Sequence, residues 1–208
     1  MYVPGMNRWE NQEHILAFMQ RFSFATITNV TTSGLPLATH LPFVVQMRDN
    51  QLWLTAHFAK ANEQWQLLEG QTSLVVFAEP HAYVSPSHYE KEQNVPTWNY
   101  QAVHAYGQAR LLKEQSAANE VVEDLIRQSE PAYLAQWQGL SAGYKEAMFK
   151  GIVAFELEVT DLQAKSKLSQ NKRMAEQKSI AEALTKSTDS GEQYLGSVMS
   201  EELKRTSE

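Results

Sequence analysis

Three stretches between residues 24 and 57 restrict the fold most. Residues 24–31 (FATITNVT), 37–47 (LATHLPFVVQM) and 51–57 (QLWLTAH) are rich in β-branched and aromatic residues and read as strands. Ser33-Gly34-Leu35-Pro36 and Arg48-Asp49-Asn50 are the turn signals between them. Neither connection can hold a crossover helix, so successive strands must run antiparallel. Pro42 falls inside the second stretch. It has no N–H to donate, so an edge or a bulge is expected there.

After residue 57 the period changes. Residues 59–69 read as a helix with Ala61, Trp65 and Leu68 on one stripe, and Gly70 is placed to end it. Residues 72–77 and 81–84 read as short strands, and 85–94 as a polar loop. Residues 102–112 form a longer strand whose Gly107 marks a bulge or a close backbone approach. Residues 152–159 (IVAFELEV) alternate as the last strand. Helices are expected over 10–21, 114–128, 131–137 and 144–150, then from 172 through 184 and over 193–204, with a break at 187–191. Five to seven strands in meander order with flanking helices predict a mainly β protein built on a small antiparallel barrel, not a βαβ sheet. The expected division is a barrel domain at 1–170 and a helical C-terminal extension at 171–208.

Composition narrows the function. The formal charge of −6 disfavours a grip on DNA through phosphate neutralisation, and no helix-turn-helix pattern is present. With no cysteine there is no disulfide scaffold, thiolate nucleophile or zinc–thiolate site. Residues 1–5 do not read as a signal peptide, and no apolar run is long enough to span a bilayer, so a cytoplasmic location is expected. The six histidines show no helical i, i+4 pair and no H-x-H, so no metal site is assigned. No serine stands in a nucleophile elbow, and no catalytic residue is assigned.

Three stretches carry chemistry. Tyr83-Val84-Ser85-Pro86 and Val95-Pro96-Thr97-Trp98-Asn99-Tyr100 crowd aromatic faces beside hydrogen-bonding groups. That suits a planar polar ligand, or a rigid corner packed under a loop. Thr55, His57, Lys60 and Asn62 lie where a strand hands over to a helix. This is either an anion pocket at a helix N-terminus or a solvated lysine beside a capping asparagine. The basic run at 165–173, with Ser169, Gln170 and Asn171, reads as a solvated helix start, a second anion site or a nucleic-acid contact.

These motifs resemble a known family. Met1-Tyr-Val-Pro4, Leu41-Pro42-Phe43, His57-x-x-Lys60-Ala-Asn62-x-x-Trp65, Tyr83-Val-Ser-Pro86-x-x-Tyr89, Val95-Pro-Thr-Trp-Asn-Tyr100-x-x-Val103-His104-x-x-Gly107 and Lys165-x-Lys-Leu-Ser-Gln-Asn171 are similar to those of the PaiB-type FMN-binding negative transcriptional regulators. The chain departs from that pattern at Glu79, His88 and Ser166. The resemblance implies a six- to seven-stranded antiparallel split β-barrel related to pyridoxamine-phosphate oxidase, with a helical tail. It implies a homodimer with FMN at the subunit interface, and a role as a transcriptional repressor. Carried over by position, Thr39, His40, Leu41, Pro42 and Phe43 would line the flavin. Thr55 and Lys60, with Asn62, would hold its phosphate, and His57 would belong to the same cofactor site. Thr97, Trp98 and Asn99 would border the ring, with Lys167 and Gln170 near the open face. The alternative is an FMN-dependent oxidoreductase acting on a small molecule; haem held by His57 or His104 ranks below both.

Overall fold

The computed structural model describes residues 1–205, so residues 206–208 of the expected extension lie outside the described residues. In chain order the elements are α1 (Gln12–Arg21), β1 (Phe24–Val30), β2 (Pro36–Pro42), β3 (Val44–Arg48), β4 (Gln51–Ala59), β5 (Thr72–Phe77), β6 (His81–Val84), β7 (Thr97–Leu111), α2 (Gln115–Ser129), α3 (Leu134–Gly139), α4 (Ala142–Phe149), β8 (Ile152–Lys167), α5 (Met174–Thr185) and α6 (Ser190–Arg205). Among the described residues no helix is long and apolar enough to cross a membrane. The chain divides into two compact units, Leu16–Phe77 with His104–Leu162, and Met1–Ile15 with Ala78–Val103 and the stretch from Gln163 onward.

The first of these units is the barrel. Its strands follow the order β2-β1-β5-β7-β8-β4-β3. β1 pairs with β2 from Phe24↔Pro42 to Val30↔Pro36, and β3 with β4 from Val44↔Thr55 to Arg48↔Gln51, as the two turns require. The path starts at β2 and ends at β3, so the sheet is split between them. The expected six or seven strands are eight, because residues 37–47 form two. Pro42 ends the first. Phe43 then leaves the ladder, its N–H donating to Ser23 O (2.9 Å) and its carbonyl accepting from Gln128 Nε2 (3.1 Å).

Alternation explains the core. Leu52, Leu54, Ala56 and Phe58 of β4 point inward and are buried. They share the interior with Phe43, Phe77 and Phe155, whose rings lie 6.1–6.2 Å from the Phe43 ring. Outside, Val121 and Leu125 of α2 pack on Val44 and Ala154. The helix expected over 59–69 is instead a five-residue 3-10 turn, Glu63–Leu67. This tight turn carries Gln64 into the barrel, where its Nε2 donates to Ile27 O and Asn29 Oδ1 (both 3.1 Å).

Glu156 is buried on the outer face of β8, directly across from Thr55. It accepts from Arg48 (2.8 Å) and from Arg110, and both guanidinium groups lie over the Trp53 ring. Glu156→Ala leaves two adjacent cations without their counter-charge. The expected cost is about 1–3 kcal/mol, because both arginines stay partly solvated. Urea unfolding measures it, and the loss should shrink when Arg48 and Arg110 are both already replaced by methionine.

The second unit is a short sheet with helices on one side. β6 pairs with the start of β7, with His81↔Tyr100 and Tyr83↔Trp98 as partners. Both β7 and β8 are longer than alternation alone marks: β7 begins at Thr97, before residue 102, and β8 continues past residue 159 to Lys167. Ala82 and Val84 face α5 and α6 and join Leu168, Ile180, Leu184, Leu195 and Met199 in one apolar cluster. His81, Tyr83 and Trp98 take the other side.

Candidate functional site

Thr55 and His57 lie two apart on β4, so their side chains leave the same face. The Thr55 hydroxyl and His57 Nδ1 are buried and have no hydrogen-bond partner in the chain. Burial lowers the His57 pKa, so the ring is neutral at neutral pH. Lys60 follows directly. Its backbone is fixed by a bond to Gly151 O (2.8 Å), and its ammonium lies 4.5 Å from the centre of the Trp65 ring. Trp65 Nε1 in turn donates to Lys60 O (3.2 Å). Among the described residues no carboxylate pairs with Lys60. A hydroxyl, an imidazole and an ammonium in sequence along one strand end form a donor set suited to a phosphoester. A helix N-terminus contributes nothing, because the following turn is too short.

Other residues expected at the cofactor are committed elsewhere. Asn62 caps the 3-10 turn through Oδ1, and its Nδ2 donates to Thr39 Oγ1 (2.9 Å). Thr39 donates to Gln64 Oε1 (2.6 Å). These two therefore close one end of the barrel through Gln64 rather than face a ligand. Leu41 and Phe43 are buried in the barrel interior. His40 and Pro42 point outward, with His40 stacked on Phe24 at 6.2 Å.

In the second unit, Trp98 and Asn99 are adjacent on a strand and face opposite ways. Asn99 is fully buried, accepts from Ser169 Oγ (2.9 Å) and donates to Met199 Sδ (3.4 Å). It cannot border a ring that Trp98 touches. Thr97 Oγ1 and the Trp98 carbonyl both accept from Lys167 Nζ, which fixes the lysine to the strand. Burial lowers the Lys167 pKa. Gln170 is folded back, accepting from Leu168 N–H (2.8 Å) and donating to Ser166 O (2.6 Å). The basic run at 165–173 thus begins on β8 and not at a helix start. Trp98 and Tyr83 are half exposed and line a cleft of about 290 Å3 together with Glu79, His81, Asp189 and Glu192.

A family model described as "Putative FMN-binding domain" matches residues 1–161. The chain belongs to this FMN-binding family. A relative in Bacillus subtilis (strain 168), "Protease synthase and sporulation protein PAI 2", is 39% identical over 99% of both chains. An uncharacterized protein of Emericella nidulans is 33% identical over 64% of this chain and 68% of its own. The flavocytochrome Anf3 from Azotobacter vinelandii superposes with a TM-score of 0.59 at 16% identity, over 78% of this chain and 69% of that one. The FAD and heme binding protein from Mycobacterium smegmatis gives 0.60 at 15%, over 77% and 73%. Membership in the family and these superpositions agree on the split-barrel fold, and the PaiB-type resemblance read from the motifs holds over the whole chain.

Sequence reasoning missed Gln64, the hub of the barrel-end network, because one glutamine in a polar stretch carries no pattern. It also missed the acidic side of the cleft. Asp189 accepts from the N–H groups of Gly191 and Glu192 (both 2.9 Å) as a helix cap. An aspartate just before an amphipathic stretch is a capping signal, so the break at 187–191 is also the start of α6.

Proposed function

We propose that the protein holds FMN with its phosphate at Thr55, His57 and Lys60, and acts as a regulator of the PaiB type. The observation that carries the phosphate assignment is the donor set on β4: two buried polar atoms without protein partners, leading to a lysine without a carboxylate. A buried, unbonded hydroxyl or imidazole costs free energy unless something satisfies it. Phosphate oxygens would accept from Lys60 and from the Thr55 hydroxyl, and neutral His57 adds one ring N–H without further charge. Trp65 holds the Lys60 ammonium at the strand end. When bound, FMN supplies the redox chemistry of its isoalloxazine ring.

The regulatory reading rests on the Bacillus subtilis relative, whose name ties it to protease synthesis and sporulation. The net charge of −6 favours a regulator that acts through a partner or ligand rather than through its own hold on DNA. A homodimer is supported by the apolar residues that β1 and β2 present outward, where Phe24 is exposed opposite Pro42 and Val30 is exposed opposite Pro36.

FMN titration followed by flavin fluorescence tests the central assignment, with saturable binding expected. A folded protein that leaves FMN free rejects it. DNA affinity that falls steeply with added salt would reject the indirect mode of regulation. NAD(P)H oxidation above the free-flavin rate would move the protein into the oxidoreductase class.

A further inference from the structure

The cleft beside α6 has chemistry opposite to that of the β4 donor set. Tyr83 and Trp98 are cross-strand partners and project from the same face, their rings 5.8 Å apart at 75°. Half of each side chain is open to solvent (49% and 50%). The His81 ring lies 5.7 Å from Trp98 on the other side. Three carboxylates line the same cleft at its edge. Asp189 and Glu192 sit at the start of α6. There the Asp189 carboxylate is fixed by two backbone N–H groups, and Glu192 accepts from Ser187 Oγ (2.6 Å). Both acidic side chains lie at the helix start, where a negative charge complements the partial positive end of the helix. Glu79 adds the third from the β6 side, 3.7 Å from His81.

Several aromatic faces elsewhere are covered by the chain's own cations. Lys60 lies over Trp65, Lys145 over Trp137, Lys172 over Tyr89 and Lys165 over Tyr100. Among the described residues no lysine or arginine lies over the Tyr83 or Trp98 ring, since Lys167 reaches only the Trp98 carbonyl, and none pairs with Glu79, Asp189 or Glu192. The cleft therefore combines negative ring faces with negative carboxylates. Both attract a cation, and a desolvated ammonium over an indole gains about 2 kcal/mol. The carboxylates repel a phosphate, so this cleft is not where the FMN phosphate binds. A volume of about 290 Å3 lies at the small end of ligand pockets. We propose that this cleft binds a small aliphatic ammonium compound, its charged group held between the Tyr83–Trp98 pair and the Glu79, Asp189 and Glu192 carboxylates.

The test is NMR titration of the full chain, with and without FMN, using n-butylammonium and choline as probes. Butan-1-ol is the neutral control and magnesium chloride the control for a bare acidic cluster. Saturable shifts of the Trp98 indole N–H and the Gly191 and Glu192 amides are expected with both ammonium ions, whether or not FMN is present. Tyr83→Leu and Glu192→Gln should each weaken the response roughly three- to tenfold. The spectrum outside the cleft reports whether each variant folds, and Glu79→Gln, exposed in the loop before β6, serves where Glu192→Gln disturbs α6. Equal shifts with butan-1-ol or with magnesium would overturn the proposal. So would affinities unchanged in the folded variants. Loss of the ammonium response on FMN loading would give Trp98 to the flavin and also overturn it, while leaving the β4 phosphate assignment standing.

Discussion

Lys60→Ala is expected to weaken FMN binding by roughly 10- to 100-fold while leaving riboflavin binding unchanged. The two ligands differ only in the phosphate, so the comparison isolates the charge that Lys60 would meet. Hydrogen bonds to charged groups contribute about 1.5–3 kcal/mol, and 1.4 kcal/mol is a factor of ten in affinity. Lys60 is exposed and bonds to the barrel through its backbone, so removing its side chain should leave the thermal midpoint within a degree or two of the parent. Lys60→Arg keeps the charge and the ring contact with Trp65 and should retain most of the affinity. Thr55→Val removes only a hydroxyl that has no protein partner. It should cost FMN affinity less than Lys60→Ala, and folding nothing. Fluorescence titrations with both flavins provide the measurement. Equal losses for FMN and riboflavin in Lys60→Ala would remove the lysine from the phosphate site.

The barrel was legible in the chain because alternation and turn residues are local signals. Residues 24–31 and 51–57 alternate because one face of each strand meets a full core. The signal fails where that condition fails. Residues 97–101 lie on a strand with a half-exposed tryptophan on one side and a buried asparagine on the other, so hydropathy says nothing useful there. The same holds for 160–167, where charged residues continue a strand past its last alternating stretch. At 59–69 the apolar spacing is helical, yet a 3-10 turn forms, because the inward pull on Gln64 comes from the carbonyls and amides of distant strands. The candidate site divides on the same line. Lys60 and Trp98 were found by residue type. That Thr39, Asn62, Asn99 and Gln170 serve internal networks depends on partners far along the chain. Types and spacing cannot tell a side chain that bonds the protein from one that waits for a ligand.

Gly107→Ala is expected to destabilise the barrel by about 3 kcal/mol, lowering the thermal midpoint by roughly 6–12 °C for a chain of this size. A Cβ at residue 107 would lie 2.1 Å from Glu158 O, 2.4 Å from Leu157 Cδ2 and 2.9 Å from Glu158 C. The leucine can rotate away. The carbonyl cannot, because it belongs to the neighbouring strand β8. Relief therefore requires the two backbones to separate, at a place where β7 and β8 sit in the middle of the strand order. Glu156 is two residues from the contact and holds Arg48 and Arg110, so the displacement should also loosen that cluster. Gly143→Ala is the matched control. It adds the same methyl group within α4, where nothing lies within 4 Å, and an alanine in a helix is favoured over glycine by up to about 1 kcal/mol. The two variants should move the midpoint in opposite directions. A Gly107→Ala protein that melts with the parent would mean that β7 and β8 stand further apart than described, and the packing on which the Glu156 cluster depends would have to be redrawn.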